Sequence, residues 1–130
     1  MARSAYALTA LASCAGAAGV IEAAAAAHGH SEPLLVTSSH FLLITAAASI
    51  ALTAFGLNAL SGRRWFLAAA FILLGGGILF CADLSVRALA GHRLFPFAAP
   101  TGGTLMIVGW VVAAAAALCC LVGSCKRRDS

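Results

Sequence analysis

The chain has 130 residues, of which 62% are hydrophobic and only 9% are charged, and its formal net charge is +4. With a mean hydropathy of +1.01, it is far more apolar than a typical soluble domain, in which about half of the residues are apolar and a quarter charged. A water-soluble fold of this length would expose large apolar patches, which excludes a soluble globular protein. The few basic residues flank apolar stretches, so we expect them to contact acidic lipid headgroups, with no nucleic-acid partner.

Four apolar segments are long enough to cross a bilayer, which takes about 20 residues of helix. Pro33 precedes the second segment and Pro100 the fourth, a placement typical of helix starts. We predict one transmembrane domain over residues 1–130 with an all-α fold, an integral membrane four-helix bundle. The predicted spans are residues 4–27, 34–60, 65–90 and 101–123.

The first segment has a second interpretation. A single basic residue, Arg3, followed by an apolar run also fits a secretory signal, and residues 11–14 (Leu-Ala-Ser-Cys) resemble a bacterial lipoprotein cleavage box. The apolar stretch before Cys14 is very short, however, and apolar character continues well beyond it. We therefore expect the segment to be retained as a span, and the intact mass of the mature protein tests this.

Basic residues predict the orientation, because Lys and Arg concentrate on the cytoplasmic side of membrane proteins. With four spans, the two termini and the loop between the second and third spans share one side. The opposite side has Arg93, with Arg87 just inside the third span. We therefore expect both termini in the cytoplasm. The basic residues on the shared side are Arg3, Arg63, Arg64, Lys126, Arg127 and Arg128.

Ionisable residues inside the spans are the candidate functional groups, because they are costly in lipid and commonly mark functional positions. At a rise of 1.5 Å per residue, Glu22, His40 and Asp83 lie about 8–10 Å below the outer ends of spans one, two and three. Arg87 lies about 5 Å below the end of span three. We predict that these four residues form one polar cluster beneath the outer face. The loops above it carry His28, His30, Glu32, His92 and Arg93.

The predicted cluster has competing interpretations. Asp83 and Arg87 are four residues apart on one helix, a spacing that lets them form a neutralising, structural ion pair. Alternatively, Asp83, Glu22 and His40 form a proton or cation relay, because carboxylate and imidazole groups exchange protons near neutral pH. A contact with a lipid headgroup or a quinone is the third possibility. The relay predicts that Asp83→Asn abolishes a pH-dependent flux in a folded protein, whereas the ion pair predicts loss of the fold.

The sequence contains no motif for catalysis and no spacing typical of a metal site. His28 and His30 suit a loop, and only His40 lies clearly within a span, whereas a haem between helices needs two facing histidines. The five cysteines are expected to act as small apolar residues. Glycine-rich phosphate loops, nucleophile elbows and zinc-protease signatures are missing from the sequence. We expect neither an enzyme nor a cofactor.

Small residues predict closely packed helices, because helices in lipid associate through backbone approach more than through hydrophobic drive. Among aromatic residues, Tyr6 and Trp65 are expected to anchor at the membrane interface and Trp110 to pack inside the bundle. The small-residue surfaces are Ala12 with Gly16, Ala15 with Gly19, residues 75–77, Gly102, Gly103 and Gly109.

A family resemblance rests mainly on residues 75–110. The segment 75–87 (GGGILFCADLSVR), the segment 94–103 (LFPFAAPTGG) and the pair Gly109-Trp110 resemble the family of domain of unknown function 423. Residues 27–29 (Ala-His-Gly) and His40 also match this family's pattern, although the longer segment with a Tyr-Gln pair that the family has between them is missing from this chain. The resemblance implies a small multi-pass protein of the bacterial inner membrane with eukaryotic relatives, and it implies no activity.

From these features we expect a membrane protein without catalytic chemistry, structural or accessory to lipid or to a larger membrane complex, or associating with itself. The alternative is a proton- or cation-coupled carrier or channel that uses the polar cluster. A weaker alternative is a haem- or quinone-binding subunit, whose haem version an absorbance scan for a Soret band would test.

Overall fold

The computed structural model describes residues 2–29 and 33–123. Within these ranges the chain forms four α-helices and no strand, which confirms the predicted all-α fold. Each helix is long and apolar enough to cross a membrane, so the chain is a multi-pass membrane protein. The helices are α1 (Ala2–His28), α2 (Pro33–Asn58), α3 (Arg63–Ala90) and α4 (Ala98–Leu121).

Seven of the eight helix boundaries differ from the predicted spans, each by one to three residues. Helix α2 ends at Asn58, two residues earlier than predicted, and the Asn58 side-chain amide donates to the Ala54 carbonyl within that last turn. Helix α4 begins at Ala98, three residues earlier than predicted, so Pro100 lies inside its first turn. The first four N–H groups of a helix have no partner within the helix. A proline in that turn therefore loses no hydrogen bond.

The helices pack in the order of the chain, each antiparallel to the next. Helix α3 has extensive interfaces with both α2 and α4, whereas α1 packs mainly against α2 and touches α3 lightly. Helix α4 makes its extensive contacts with α3 alone. The arrangement is therefore an open row of four helices, in which α1 and α4 keep broad outward faces.

Helices α3 and α4 approach until their backbones touch. A Cβ atom added at Gly102 would lie 2.5 Å from the backbone nitrogen of Phe80, and one at Gly109 would lie 2.9 Å from the Cα atom of Leu73. Gly75 and Gly103, which the sequence grouped with these glycines, have no neighbour within 4 Å of such an atom. Only some of the predicted small residues therefore form the contact.

Helix α2 faces α3 with a row of buried hydroxyl groups that the sequence analysis did not single out. Ser38, Thr45, Ser49 and Thr53 are at most 1% exposed and are spaced four or seven residues apart, which places them on one helical face. The Ser49 hydroxyl donates to the Ala70 carbonyl of α3 at 3.2 Å. Thr45 and Thr53 donate within their own helix.

The aromatic predictions separate into two groups. Tyr6 and Trp65 are exposed to the surroundings of the helices, as interface anchors would be. The prediction for Trp110 is wrong, because this side chain is 49% exposed on α4. The open row explains the difference, since α4 has a single extensive interface and most of its surface points away from the other helices.

Candidate functional site

Helix α3 carries polar side chains on two opposite faces near its C-terminal end. Asp83 and Ser85 are two residues apart, which is a rotation of about 200° around a helix with 3.6 residues per turn. Asp83 points toward the connection to α4, and Ser85 points toward α1 and α2. Each face holds a separate group of polar residues, which we name the Asp83 cluster and the Glu22 cluster.

The Asp83 cluster consists of Asp83, Arg87 and the backbone N–H of Leu94. Asp83 is fully buried, and its Oδ2 atom lies 2.5 Å from Nη2 of Arg87 in an ion pair. Its Oδ1 atom accepts a hydrogen bond from the Leu94 N–H at 2.9 Å. The carboxylate therefore has both a counter-charge and a donor from the loop. It fastens the α3–α4 connection to the end of α3.

The backbone at the end of α3 makes this fastening possible. Gly91 terminates the helix in a left-handed conformation with φ 73°, and its N–H donates to the Arg87 carbonyl at 3.1 Å. Glycine adopts this conformation without steric cost and commonly ends helices. The chain reverses there, which returns Leu94 to the level of Asp83.

The Glu22 cluster consists of Glu22, Ser38, Cys81 and Ser85 and joins three helices. The Ser85 hydroxyl donates to Oε1 of Glu22 at 2.5 Å, and the Ser38 and Ser85 hydroxyl oxygens lie 3.0 Å apart. The Cys81 thiol donates to the Ser38 carbonyl oxygen at 3.3 Å, and the one Ser38 hydroxyl proton has two acceptors within reach, the Cys81 carbonyl oxygen at 3.3 Å and the Ser85 hydroxyl oxygen. Hydroxyl and thiol groups thus connect α2 to α3, and Glu22 connects α1 to both.

One carboxylate oxygen of Glu22 has no hydrogen-bond partner. This atom, Oε2, is buried, and none of the ion pairs found among the described residues includes Glu22. Glu22 is half-buried, and a carboxylate withdrawn from water without a counter-charge or a full set of donors is costly. Oδ2 of Asp83 and Nε of Arg87 also have no hydrogen-bond partner, but these two side chains form an ion pair. The Glu22 cluster therefore differs from the Asp83 cluster in having no counter-charge among the described residues.

An apolar groove opens directly beside the Glu22 cluster. It has a volume of about 300 Å³ and lies between α1, α2 and α3, where α1 and α3 only touch lightly. Cys14 and Cys81 also line it. Its principal lining side chains are Leu11, Ala15 and Ala18 from α1, Leu42 from α2, and Ile78 and Ala82 from α3.

The structure divides the predicted polar cluster. Asp83 and Arg87 come together, whereas Glu22 binds on the opposite face of α3. His40 is exposed on the outer surface of α2 and joins neither group. The prediction of one cluster of four residues is thus corrected to two clusters at similar depth. The physical reason is that equal depth along a helix does not fix the direction in which a side chain points.

The predicted loop groups lie at the surface where they are described. His28 is the last residue of α1 and is exposed, and His92 is exposed with its Nδ1 atom 3.1 Å from the carbonyl oxygen of its neighbour Arg93. Among residues 2–29 and 33–123, no group of three or more His, Cys, Asp or Glu side chains is arranged to hold a metal ion. The predictions for His30, Glu32, Lys126, Arg127 and Arg128 lie outside the described residues.

Sequence reasoning missed Ser38, Ser85 and the Leu94 N–H. The two serines carried a usable signal, because each lies about 7 Å from a helix end, at the depth of Glu22. The backbone N–H of Leu94 carried none, since every residue in that loop except Pro96 has the same donor.

Comparison with known proteins gives one match. A family model described as "Protein of unknown function (DUF423)" matches residues 22–103. No curated protein and no solved structure matches the chain. The matched region starts at Glu22 and includes all of α2 and α3, so both polar clusters lie within it.

Proposed function

The chain belongs to the protein family of unknown function DUF423, and from its geometry we propose that it is a structural or accessory membrane protein without catalysis of its own. In this role it packs against lipid or against a larger membrane complex. The observation that carries the proposal is that the two charged side chains near the C-terminal end of α3, Asp83 and Arg87, are paired with each other. Asp83 is fully buried, and both of its oxygens are engaged by Arg87 and the Leu94 N–H.

A relay group has to exchange its partner during each cycle. Breaking a buried pair by removing one partner costs about 3–5 kcal/mol, because the other charge is left uncompensated. Asp83 is closed off from the groove by the body of α3, and His40, the second relay candidate, is exposed elsewhere on α2. These positions favour the structural ion pair over the relay.

The outward face of α4 supports the accessory role. Ile107, Trp110 and Val111 are 66%, 49% and 61% exposed on this helix. Apolar side chains of this size facing outward suit lipid tails or another transmembrane helix. A helix with one extensive interface in the chain leaves room for a second one.

We also infer the orientation and location. Arg64 lies in the first turn of α3, and Arg93 lies beyond the opposite end of that helix. The excess of basic residues marks the cytoplasmic side. We place both termini in the cytoplasm and the protein in a bacterial inner membrane. Arg64→Cys and Arg93→Cys, each in a chain whose native cysteines are replaced by alanine, test this with a membrane-impermeant maleimide on intact cells. We expect labelling at position 93 only, and labelling at position 64 alone would reverse the orientation.

The functional test is reconstitution of the purified chain in proteoliposomes. We expect proton and cation flux equal to that of protein-free vesicles under an imposed pH gradient or potential. A flux that depends on this protein and disappears in a folded Asp83→Asn variant would contradict the accessory role.

A proton- or cation-coupled carrier is the second candidate, and one observation favours it. The hydroxyl groups of Ser38 and Ser85 form a short chain to the carboxyl group of Glu22, whose second oxygen is unpartnered. Carboxyl groups in such chains serve as proton relays in membrane transporters. This candidate predicts a flux that Glu22→Gln abolishes and that Asp83 variants affect only through stability.

A further inference from the structure

We propose that the groove between α1, α2 and α3 binds one alkyl chain of an amine-headed membrane amphiphile, whose ammonium group pairs with the carboxylate of Glu22. The site combines an apolar channel for the tail with a half-buried carboxylate for the head.

The groove leads to the Glu22 cluster on all three helices. Glu22 follows the lining residue Ala18 by four positions, and Ser38 precedes the lining residue Leu42 by four. Ser85 follows Ala82 by three positions on α3. Residues three or four apart lie on the same face of a helix, one turn along. The three helices thus pass from apolar lining to polar group within one turn, and the polar groups close the outer end of the groove.

The Glu22 carboxylate lacks a counter-charge and a hydrogen-bond donor, and an ammonium group supplies both. Oε1 of Glu22 accepts from Ser85, but the buried Oε2 has no donor, and no described cation pairs with this side chain. A primary ammonium group carries one positive charge and three donors. It would neutralise Glu22 and fill its free oxygen together. A carboxylate-headed amphiphile would add repulsion at the same place.

The depth of Glu22 suits a headgroup. Helix α1 has 27 residues and is therefore about 40 Å long, whereas the hydrocarbon core is about 30 Å thick. For an upright helix, Glu22 lies about 9 Å from the end of α1, which is about 4 Å inside the hydrocarbon boundary. An ammonium group at the membrane interface reaches this level while its chain follows the groove toward the bilayer centre.

The size of the groove suits a single chain. Its volume of about 300 Å³ is at the lower end of the range for small-molecule pockets. The groove also follows a light interface, since α1 touches α3 at few positions. A chain lying there would fill the space that the two helices leave between them.

The experiment uses dodecylamine as the probe and Cys14 as the reporter. Cys14 is exposed and lines the groove, whereas Cys119 is exposed on α4 outside it. Alkylation of each cysteine in the detergent-solubilised full chain by a lipid-soluble maleimide is followed by peptide mass spectrometry. We expect dodecylamine to slow alkylation of Cys14 and to leave Cys119 unchanged.

Variants separate the head contact from the tail contact. Glu22→Gln keeps an oxygen for Ser85 but removes the charge, and we expect it to raise the half-protecting dodecylamine concentration about tenfold or more, as loss of a charged hydrogen bond does. Ala18→Phe fills the groove, and we expect it to abolish binding of dodecylamine measured by native mass spectrometry. Ala17→Phe, a neighbouring exposed position that does not line the groove, is the matched control and should bind normally.

Three results would overturn the proposal. Equal protection by dodecanoic acid, or by dodecanol, would mean that the tail alone decides binding. An unchanged half-protecting concentration in Glu22→Gln would remove the head contact. Normal binding by Ala18→Phe would exclude the groove, and this result stands even if Glu22→Gln fails to fold.

Discussion

The two sides of α3 solve the problem of packing in lipid differently. On the α4 side, glycines bring the backbones into contact, and the charged residues there are paired and tied to the loop. On the side of α1 and α2, hydroxyl groups connect the helices, a groove remains open, and one carboxylate oxygen has no partner.

The difference indicates which side is structural and which side can accept a ligand. Without water to exclude, helices in a membrane gain stability from close backbone packing and satisfied polar groups. The α4 side has close backbone contacts and a carboxylate paired with its counter-charge, so we expect substitutions there to be costly. At the groove, the side of α1 and α2 lacks close backbone packing, and the Glu22 carboxylate there has no counter-charge. Substitutions on this side should therefore change binding of the amphiphile more than stability.

The largest expected effect comes from Asp83→Leu. It leaves Arg87 without its counter-charge and the Leu94 N–H without its acceptor, so we expect the free energy of unfolding to fall by about 3–5 kcal/mol. Titration of mixed micelles with dodecyl sulfate, followed by circular dichroism, measures this. The double variant Asp83→Leu/Arg87→Leu should recover part of the loss. A single variant as stable as the wild type would show that the Asp83 cluster does not hold the hairpin.

The next effect concerns the α3–α4 contact. Gly102→Ala places a Cβ atom 2.5 Å from the Phe80 backbone nitrogen, so the helices must separate, and we expect a loss of about 1–3 kcal/mol. Gly103→Ala is the matched control, because its Cβ atom meets nothing within 4 Å and alanine favours helix. The same titration should show no loss for the control. Equal losses in both variants would contradict the close contact.

A smaller effect is expected on the other side of α3. Ser49→Ala removes the hydroxyl that donates to the Ala70 carbonyl of α3, and hydrogen bonds between helices in membranes average about 0.6 kcal/mol. Ser13→Ala is the control, since Ser13 donates only to the Thr9 carbonyl of its own helix at an exposed position. Unfolding of both variants under identical conditions measures the difference. A control that loses as much as Ser49→Ala would remove the interhelical role.

The smallest effect on stability is expected for Glu22→Gln. The amide oxygen still accepts from Ser85, and the substitution removes a charge that has no counter-charge, so we expect no loss of stability. Asp83→Asn, the equivalent substitution on the other side of α3, should cost clearly more because it unpairs Arg87. Parallel unfolding curves compare the two. Similar losses would mean that the two clusters contribute equally to the stability of the fold.

Composition and segment length were sufficient to predict the four membrane-crossing helices. Each helix is apolar over a length close to the thickness of the bilayer, and this property is local to the segment. The depth of the polar residues was predictable for a related reason, because the rise of an α-helix is constant. Glu22, Asp83 and Ser38 accordingly lie near the same end of the bundle along the helix axes.

The direction in which each polar side chain points depended on tertiary packing. In a soluble helix, the apolar stripe identifies the buried face. Helices α3 and α4 are apolar around most of their circumference, so no stripe distinguishes the face of Asp83 from that of Ser85. The same ambiguity misplaced Trp110 and grouped Gly103 with Gly102. Only the neighbouring helices decide which face is covered. They divide one predicted polar layer into a closed ion pair on one side of α3 and an open, incomplete site on the other.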